Sequence, residues 1–170
     1  VTHSNVNAAK TIGTQHLHSW SPAGLFGNGL TVGVWDGGAV RTSHVEFKNL
    51  AGTSSTRAIQ RDGASTLSSH ATHVAGTVGA VGVQSNAKGM APEVNLDTYY
   101  WNSDASEMTA AAANGLLISN HSYGQRRGWY GNTWYGVSSI STSEDYRFGF
   151  YESRASAWDA IAFNAPCSLF

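Results

Sequence analysis

Three side chains in the first half of the sequence could take part in acid–base chemistry: Asp36, His70 and His73. Asp36 follows the apolar run "LTVGVW" at residues 30–35, and the histidines lie in "SSHATHVAGTVGA" at residues 68–80. A carboxylate can orient an imidazole, which then takes a proton from a hydroxyl nucleophile. Two histidines on one helical face can instead bind a metal ion. The residue types alone leave hydrolase chemistry, metal binding and packing open.

The metal interpretation is the weakest of the three. Zinc peptidases with two histidines on one helix carry a Glu directly after the first histidine. Ala71 occupies that position here, so we expect no metal site, and a metal hydrolase using His70 and His73 remains only an alternative. Asp36 by itself does not establish a site either, because Asp-Gly pairs are common in turns.

The elements that would position these side chains alternate between strands and helices. A buried strand is predicted at residues 30–38, and the spacing of small and apolar residues predicts a helix from Ser69 onward. The remaining predicted elements are a strand at 89–101, a helix at 103–115, a strand at 116–124, a helix at 152–164 and the start of a strand at 167–170. This alternation predicts an α/β fold, a parallel sheet with helices on both faces. Asp36 would lie at the carboxyl end of a strand, where functional groups collect in such sheets.

Composition limits the partners of the chain. It has 170 residues, 10 basic and 11 acidic side chains and a formal net charge of -1, so we expect one domain, no nucleic acid partner and no membrane partner. Its charged fraction of 12% is low, which we associate with exported proteins. Cys167 has no second cysteine to pair with and is predicted to be a small buried residue. No signal peptide is recognisable at the first residues.

Three blocks of the sequence together resemble the subtilisin-like serine proteases, or subtilases. "VGVWDGG", "SSHATHVAGTVGA" and "GMAPEVNL" occur in the order and approximate spacing of that family, and the resemblance covers residues 30–124 clearly. It implies a subtilisin-like fold, serine endopeptidase activity and a secreted or cell-surface location. By position, it implies that Asp36 orients the imidazole, that His70 is the general base and that His73 has a packing role.

The resemblance also implies a substrate groove. "ISNHSYG" at residues 118–124 is similar to a family strand that ends in Ser-x-Gly, so Ser122, Tyr123 and Gly124 are implied to pair with an extended peptide. Many family members bind calcium, but "VGVQSNAKG" at residues 81–89 does not match such a site. We therefore expect no cofactor.

Two family blocks are missing from the 170 residues. The nucleophile of the family lies in Gly-Thr-Ser-x-Ala-x-Pro and the oxyanion asparagine in Ala-Gly-Asn, and neither motif occurs. Ser54 in "AGTSST" precedes His70, against the family order, and lacks the following Ala, so we interpret it as a loop serine. Residues 1–170 are thus expected to be the N-terminal portion of one peptidase domain, with an incomplete fold and no activity alone. Expected partners are a peptide or protein substrate and the remaining C-terminal part of the domain.

One segment has no counterpart in the resemblance. Residues 125–150 form an aromatic-rich insertion after the groove strand, which could shape substrate pockets, bind sugars or be a loop held by its own rings. The alternative to an endopeptidase is accordingly a non-catalytic peptide- or glycan-binding fragment or pseudoprotease. The other histidines have no evident partner in the sequence and are expected to be surface or core residues: His3, His16, His18, His44 and His121.

Overall fold

The computed structural model describes residues 5–49 and 55–170. Four strands form its main sheet: β1 Thr31–Asp36, β2 Ala58–Gln60, β3 Asn95–Tyr100 and β4 Ile118–His121. Their order across the sheet is β2-β3-β1-β4, and every neighbouring pair is parallel. Trp129–Tyr130 (β5) and Thr133–Trp134 (β6) form a separate antiparallel hairpin.

The helices are α1 Asn5–Thr11, α2 Thr14–His18, α3 Ser69–Gly79, α4 Asp104–Ala113 and α5 Ser153–Asn164. Single 3-10 turns lie at Val45–Phe47 and Ser85–Ala87. The predicted α/β fold with a parallel sheet is confirmed. The two short helices α1 and α2 were not predicted, because their polar, turn-rich sequence has no apolar period and they contain one buried residue, Thr14. No helix in the described ranges is long and apolar enough to span a membrane.

Alternate residues of β1 face two different cores. Val32 and Val34 pack with Ala71 and Ala75 of α3, whereas Trp35 packs with α4 and α5 on the opposite face. Both faces of the sheet are therefore covered by helices. Parallel strands with both faces buried are typically apolar throughout, as "TVGVW" is.

The helix α3 lies very close to the backbone that follows it. A methyl group on Gly89 would meet the backbone nitrogen of Ala80 at 2.5 Å and the carbonyl oxygen of Val78 at 2.7 Å. Gly89 also donates a hydrogen bond to the carbonyl oxygen of Ala80 at 2.9 Å. This close approach fixes the end of α3 against the turn into β3.

Strand register brings the carboxyl ends of β1, β3 and β4 side by side. Asp36 is opposite Tyr100 of β3, and Trp35 is opposite His121 of β4. The chain runs from β1 to β2 and β3 on one side of β1 and then crosses to β4 on its other side. The strand order therefore reverses at the carboxyl end of β1. Ligand sites in open α/β sheets lie at such points.

One local prediction is confirmed in part and another was wrong. The start of a strand predicted at residues 167–170 forms a single parallel bridge between Leu169 and Ile118. Cys167, predicted to be buried, is exposed. Ser54 and His3 lie outside the described residues.

Candidate functional site

Asp36 and His70 are in direct contact although 34 residues separate them. The Nδ1 atom of His70 lies 2.8 Å from Oδ1 and 2.9 Å from Oδ2 of Asp36. The Asp36 side chain is only 3% exposed, whereas the His70 side chain is 63% exposed. A carboxylate only accepts hydrogen bonds, so Nδ1 carries the ring hydrogen and Nε2 keeps its lone pair when the imidazole is neutral.

Local structure holds each partner in place. The carboxylate of Asp36 also accepts a hydrogen bond from the backbone nitrogen of Gly37 at 2.6 Å. Ser68 caps α3, because its hydroxyl accepts from the backbone nitrogen of Ala71 at 3.1 Å. His70 thus stands in the first turn of a capped helix, directly above the end of β1.

Ala71 occupies a position where the resembling family has glycine. Its methyl group is fully buried in the core between α3 and the sheet. The substitution is accommodated by packing, so it does not displace His70 from Asp36.

His73 lies one turn further along α3 and does not join this pair. It borders a separate cavity that is also lined by Arg41 and His44. Among residues 5–49 and 55–170, no three His, Cys, Asp or Glu side chains are grouped as a metal site would require. The two histidines of "HATH" therefore have different surroundings: His70 contacts Asp36, whereas His73 borders the other cavity.

Trp101 connects Asp36 to the segment after β4. Its backbone nitrogen donates to the carbonyl oxygen of Asp36 at 2.9 Å, and its ring meets that of Tyr123 edge-on at 5.5 Å. Ser122 and Gly124 are exposed, and Tyr123 is half-buried. Within the described residues, the amides of Tyr123 and Gly124 donate to no other backbone group. This exposed stretch directly after β4 could accept another chain.

Behind Tyr123 runs a chain of four hydrogen-bonded side chains that the sequence did not predict. The phenol of Tyr123 donates to the buried carboxylate of Asp104 at 2.8 Å. Its oxygen therefore accepts from Nδ1 of His121 at 3.0 Å, and Nε2 of His121 accepts from the hydroxyl of Ser119 at 2.8 Å. Only the alternation of Ser119, His121 and Tyr123 along one face of a strand hinted at this arrangement.

Burial is the largest cause of the pKa shifts of His121 and Tyr123. It lowers the pKa of His121 to about 4, with a smaller opposing effect of Asp104. Burial, helped by the hydrogen bond to Asp104, raises the pKa of the Tyr123 phenol. The His121 ring also packs against Trp35 and Trp158, with centroid distances of 5.1 and 4.6 Å. His121 is thus a neutral structural residue that holds Tyr123 in place.

The aromatic-rich insertion is held partly by its own side chains. The guanidinium of Arg126 lies 4.2 Å from the ring centre of Tyr130 and donates to the phenol of Tyr135. Asp145 is buried and accepts from Arg147, which lowers the pKa of that carboxyl. Several rings nevertheless remain largely exposed: Trp129, Tyr130, Tyr146, Phe148, Phe150 and Tyr151.

Glu46 is hydrogen-bonded to the loop at residues 81–89. Both carboxylate oxygens of Glu46 accept from backbone amides of this loop: Gly82 at 2.7 Å, Val83 at 3.0 Å and Gln84 at 2.8 Å. Calcium binds oxygen ligands, whereas these three N–H groups point at the carboxylate and would oppose a cation there. Glu46 itself fixes the loop.

Comparison with known proteins identifies the family of the chain. No curated protein matches it. The family model of the subtilase family matches residues 27–165, which contain Asp36, His70 and the edge segment Ser122–Gly124. Because that match covers most of the 170 residues, the chain belongs to the subtilase family, whose members are serine-type peptidases.

Proposed function

We propose that Asp36 and His70 are the carboxylate and the general base of an Asp-His-Ser triad that hydrolyses peptide bonds. The observation that carries this proposal is the contact of His70 Nδ1 with both oxygens of a buried carboxylate, while the opposite side of the ring is open. A triad needs this arrangement, because the carboxylate fixes the tautomer of the imidazole and leaves Nε2 to accept the proton of the nucleophile.

The proposed reaction follows from that tautomer. A serine hydroxyl attacks the peptide carbonyl carbon while Nε2 of His70 takes its proton, and Asp36 stabilises the resulting imidazolium. His70 then gives the proton to the leaving amine as the carbon–nitrogen bond breaks, which leaves an acyl-enzyme. Water, deprotonated by His70, hydrolyses the ester and restores the serine.

The substrate would bind as an added strand along Ser122, Tyr123 and Gly124. The exposure of Ser122 and Gly124, the unpaired amides of Tyr123 and Gly124 among the described residues and the link to Asp36 through Trp101 support this position. Main-chain hydrogen bonds would supply affinity for any extended peptide, and the side chains around Tyr123 would supply selectivity.

The nucleophile would come from outside residues 1–170. Neither the family serine block nor its asparagine block occurs in the sequence, and in the described part of the chain Nε2 of His70 meets no hydroxyl. We therefore propose that these residues act as the N-terminal portion of one peptidase domain, with the C-terminal part as the partner. Subtilases are generally extracellular, and we propose an extracytoplasmic location for this protein.

Hydrolysis by the full-length protein, including any residues that follow Phe170, tests the proposal. We expect casein cleavage that a serine-directed fluorophosphonate abolishes and that His70→Ala reduces by about 10⁴-fold or more. His73→Asn is the matched control on the same helix and should retain activity. Circular dichroism would verify that both variants fold.

Two results would contradict this proposal. Residues 1–170 alone should neither cleave casein nor react with the fluorophosphonate, so turnover by that chain would show a nucleophile within it. Peptide binding by the full-length protein without any hydrolysis, unchanged in His70→Ala, would instead support the non-catalytic alternative.

A further inference from the structure

A cavity of about 310 Å³ lies beside the edge segment at Tyr123 and Gly124. The rings of Trp101 and Tyr123 line it, and Arg154 from the first turn of α5 lines it as well. Trp101 also hydrogen-bonds to Asp36 through its backbone. A peptide paired with Tyr123 and Gly124 would therefore pass this cavity close to the catalytic pair.

Arg154 is the one charged residue among those that line this cavity, and the buried carboxylate of Asp104 lies behind Tyr123. The other lining groups are uncharged aromatic, amide, hydroxyl and glycine groups. Within residues 5–49 and 55–170, no hydrogen bond or ion pair neutralises the Arg154 guanidinium. Neighbouring arginines differ, because Arg127 pairs with Glu152 at 2.8 Å and Arg147 pairs with Asp145 at 2.8 Å.

A second cavity shares Arg154 but has balanced charge. It has a volume of about 430 Å³ and is lined by Arg127 and Arg154 together with Glu152 and Asp159. Two cations and two carboxylates leave no net attraction for an anion there. An acidic ligand is therefore favoured on the side of Trp101 and not on this one.

Two further features of the cavity are energetically unfavourable. Ser103 lines it with φ 67°, in the left-handed region that non-glycine residues seldom adopt, and is the one such residue in the described ranges. Arg154 lies in the first turn of a helix, where the dipole disfavours a cation. Asn102 and Gln125 also line the cavity and carry amide donors. A bound carboxylate would offset the unfavourable helix dipole at Arg154 and could accept from these donors.

We propose that Arg154 selects an acidic side chain of the bound peptide in the cavity between Trp101 and Tyr123. The inference rests on the proposed binding of the peptide along Tyr123 and Gly124. It makes Arg154 a specificity-determining residue and acidic peptides the favoured substrate class. A methyl group placed on Gly124 would meet nothing within 4 Å among the described residues beyond its chain neighbours, so the space beside Gly124 is open.

Peptide binding to the 170-residue chain tests this proposal independently of hydrolysis. Each fluorescein-labelled hexapeptide would carry a single Glu in an otherwise uncharged sequence, and the set would place that Glu at each position in turn. A peptide with Gln at the same position is the control for each. Fluorescence anisotropy would measure binding. At one position we expect the Glu peptide to bind about tenfold tighter than its Gln partner, as a charge-assisted hydrogen bond allows. Added salt should weaken that preference.

Substitutions of Arg154 test whether its charge causes the preference for Glu. Arg154→Gln should remove the preference, and Arg154→Glu should reverse it towards the matched Lys peptide. Arg41→Gln, which changes an exposed arginine at a different cavity, should retain it. Equal binding of Glu and Gln peptides, a preference that survives Arg154→Gln, or no binding at millimolar peptide would overturn the proposal. A preference for Glu that depends on Arg154, in a full-length protein that does not hydrolyse, would support this inference and overturn the triad.

Discussion

Acid should destabilise the chain specifically through His121. Its pKa in the folded chain is about 4, whereas the pKa of a histidine in an unfolded chain is near 6.5. Between these values the unfolded state binds more protons, so the free energy of unfolding falls as the pH drops from about 7 towards about 4. Asp104 is the carboxylate that acts on the ring, and its attraction is weaker than the effect of burial.

The size of the effect follows from the difference in pKa. One pKa unit corresponds to about 1.4 kcal/mol, so at about pH 5 the unscreened loss is roughly 2 kcal/mol. His121 is only partly buried, and solvent screening reduces this to about 1 kcal/mol. We expect the free energy of unfolding to decrease by that amount between about pH 7 and about pH 5 because of His121 alone.

Urea unfolding followed by circular dichroism at both pH values measures this change. His121→Gln is the matched control, since an amide can still donate to Tyr123 and accept from Ser119 but does not titrate. The difference between the pH responses of the two proteins isolates His121 from other groups. Equal pH responses, or a ring titration of His121 by NMR close to 6.5, would refute the assigned burial.

Two further perturbations test the packing around the site. Glu46→Gln should lower the free energy of unfolding by about 1–3 kcal/mol and speed amide exchange at residues 82–84, because an amide cannot accept from all three loop N–H groups; unchanged exchange would contradict the role of Glu46. Gly89→Ala should cost about 2 kcal/mol or more through backbone contacts under 3 Å, whereas Gly76→Ala, open among the described residues, should stabilise α3 by up to about 1 kcal/mol. A lower melting temperature for Gly76→Ala than for Gly89→Ala would contradict the close approach of Gly89 to the backbone of Val78 and Ala80.

The pair formed by Asp36 and His70 was predictable from the sequence because its signals are local. Asp36 ends an apolar strand, and His70 follows an N-cap serine in a block of small residues. The resemblance then supplied the roles, and the structure brings the two side chains into contact. Two residues near the proposed substrate edge had no such signal. His121 has no evident partner in the sequence, and no sequence pattern marks Arg154.

The sequence by itself determined β1, β3 and β4, the helix α3 and the order of the family blocks, because hydrophobic period and capping act within about ten residues. Tertiary structure alone decided the hydrogen-bonded chain from Asp104 to Ser119, the loop cap by Glu46 and the cavity at Arg154. Each of these joins side chains from different elements. Their contacts depend on strand register and helix packing, which sum many weak long-range interactions that no local pattern encodes.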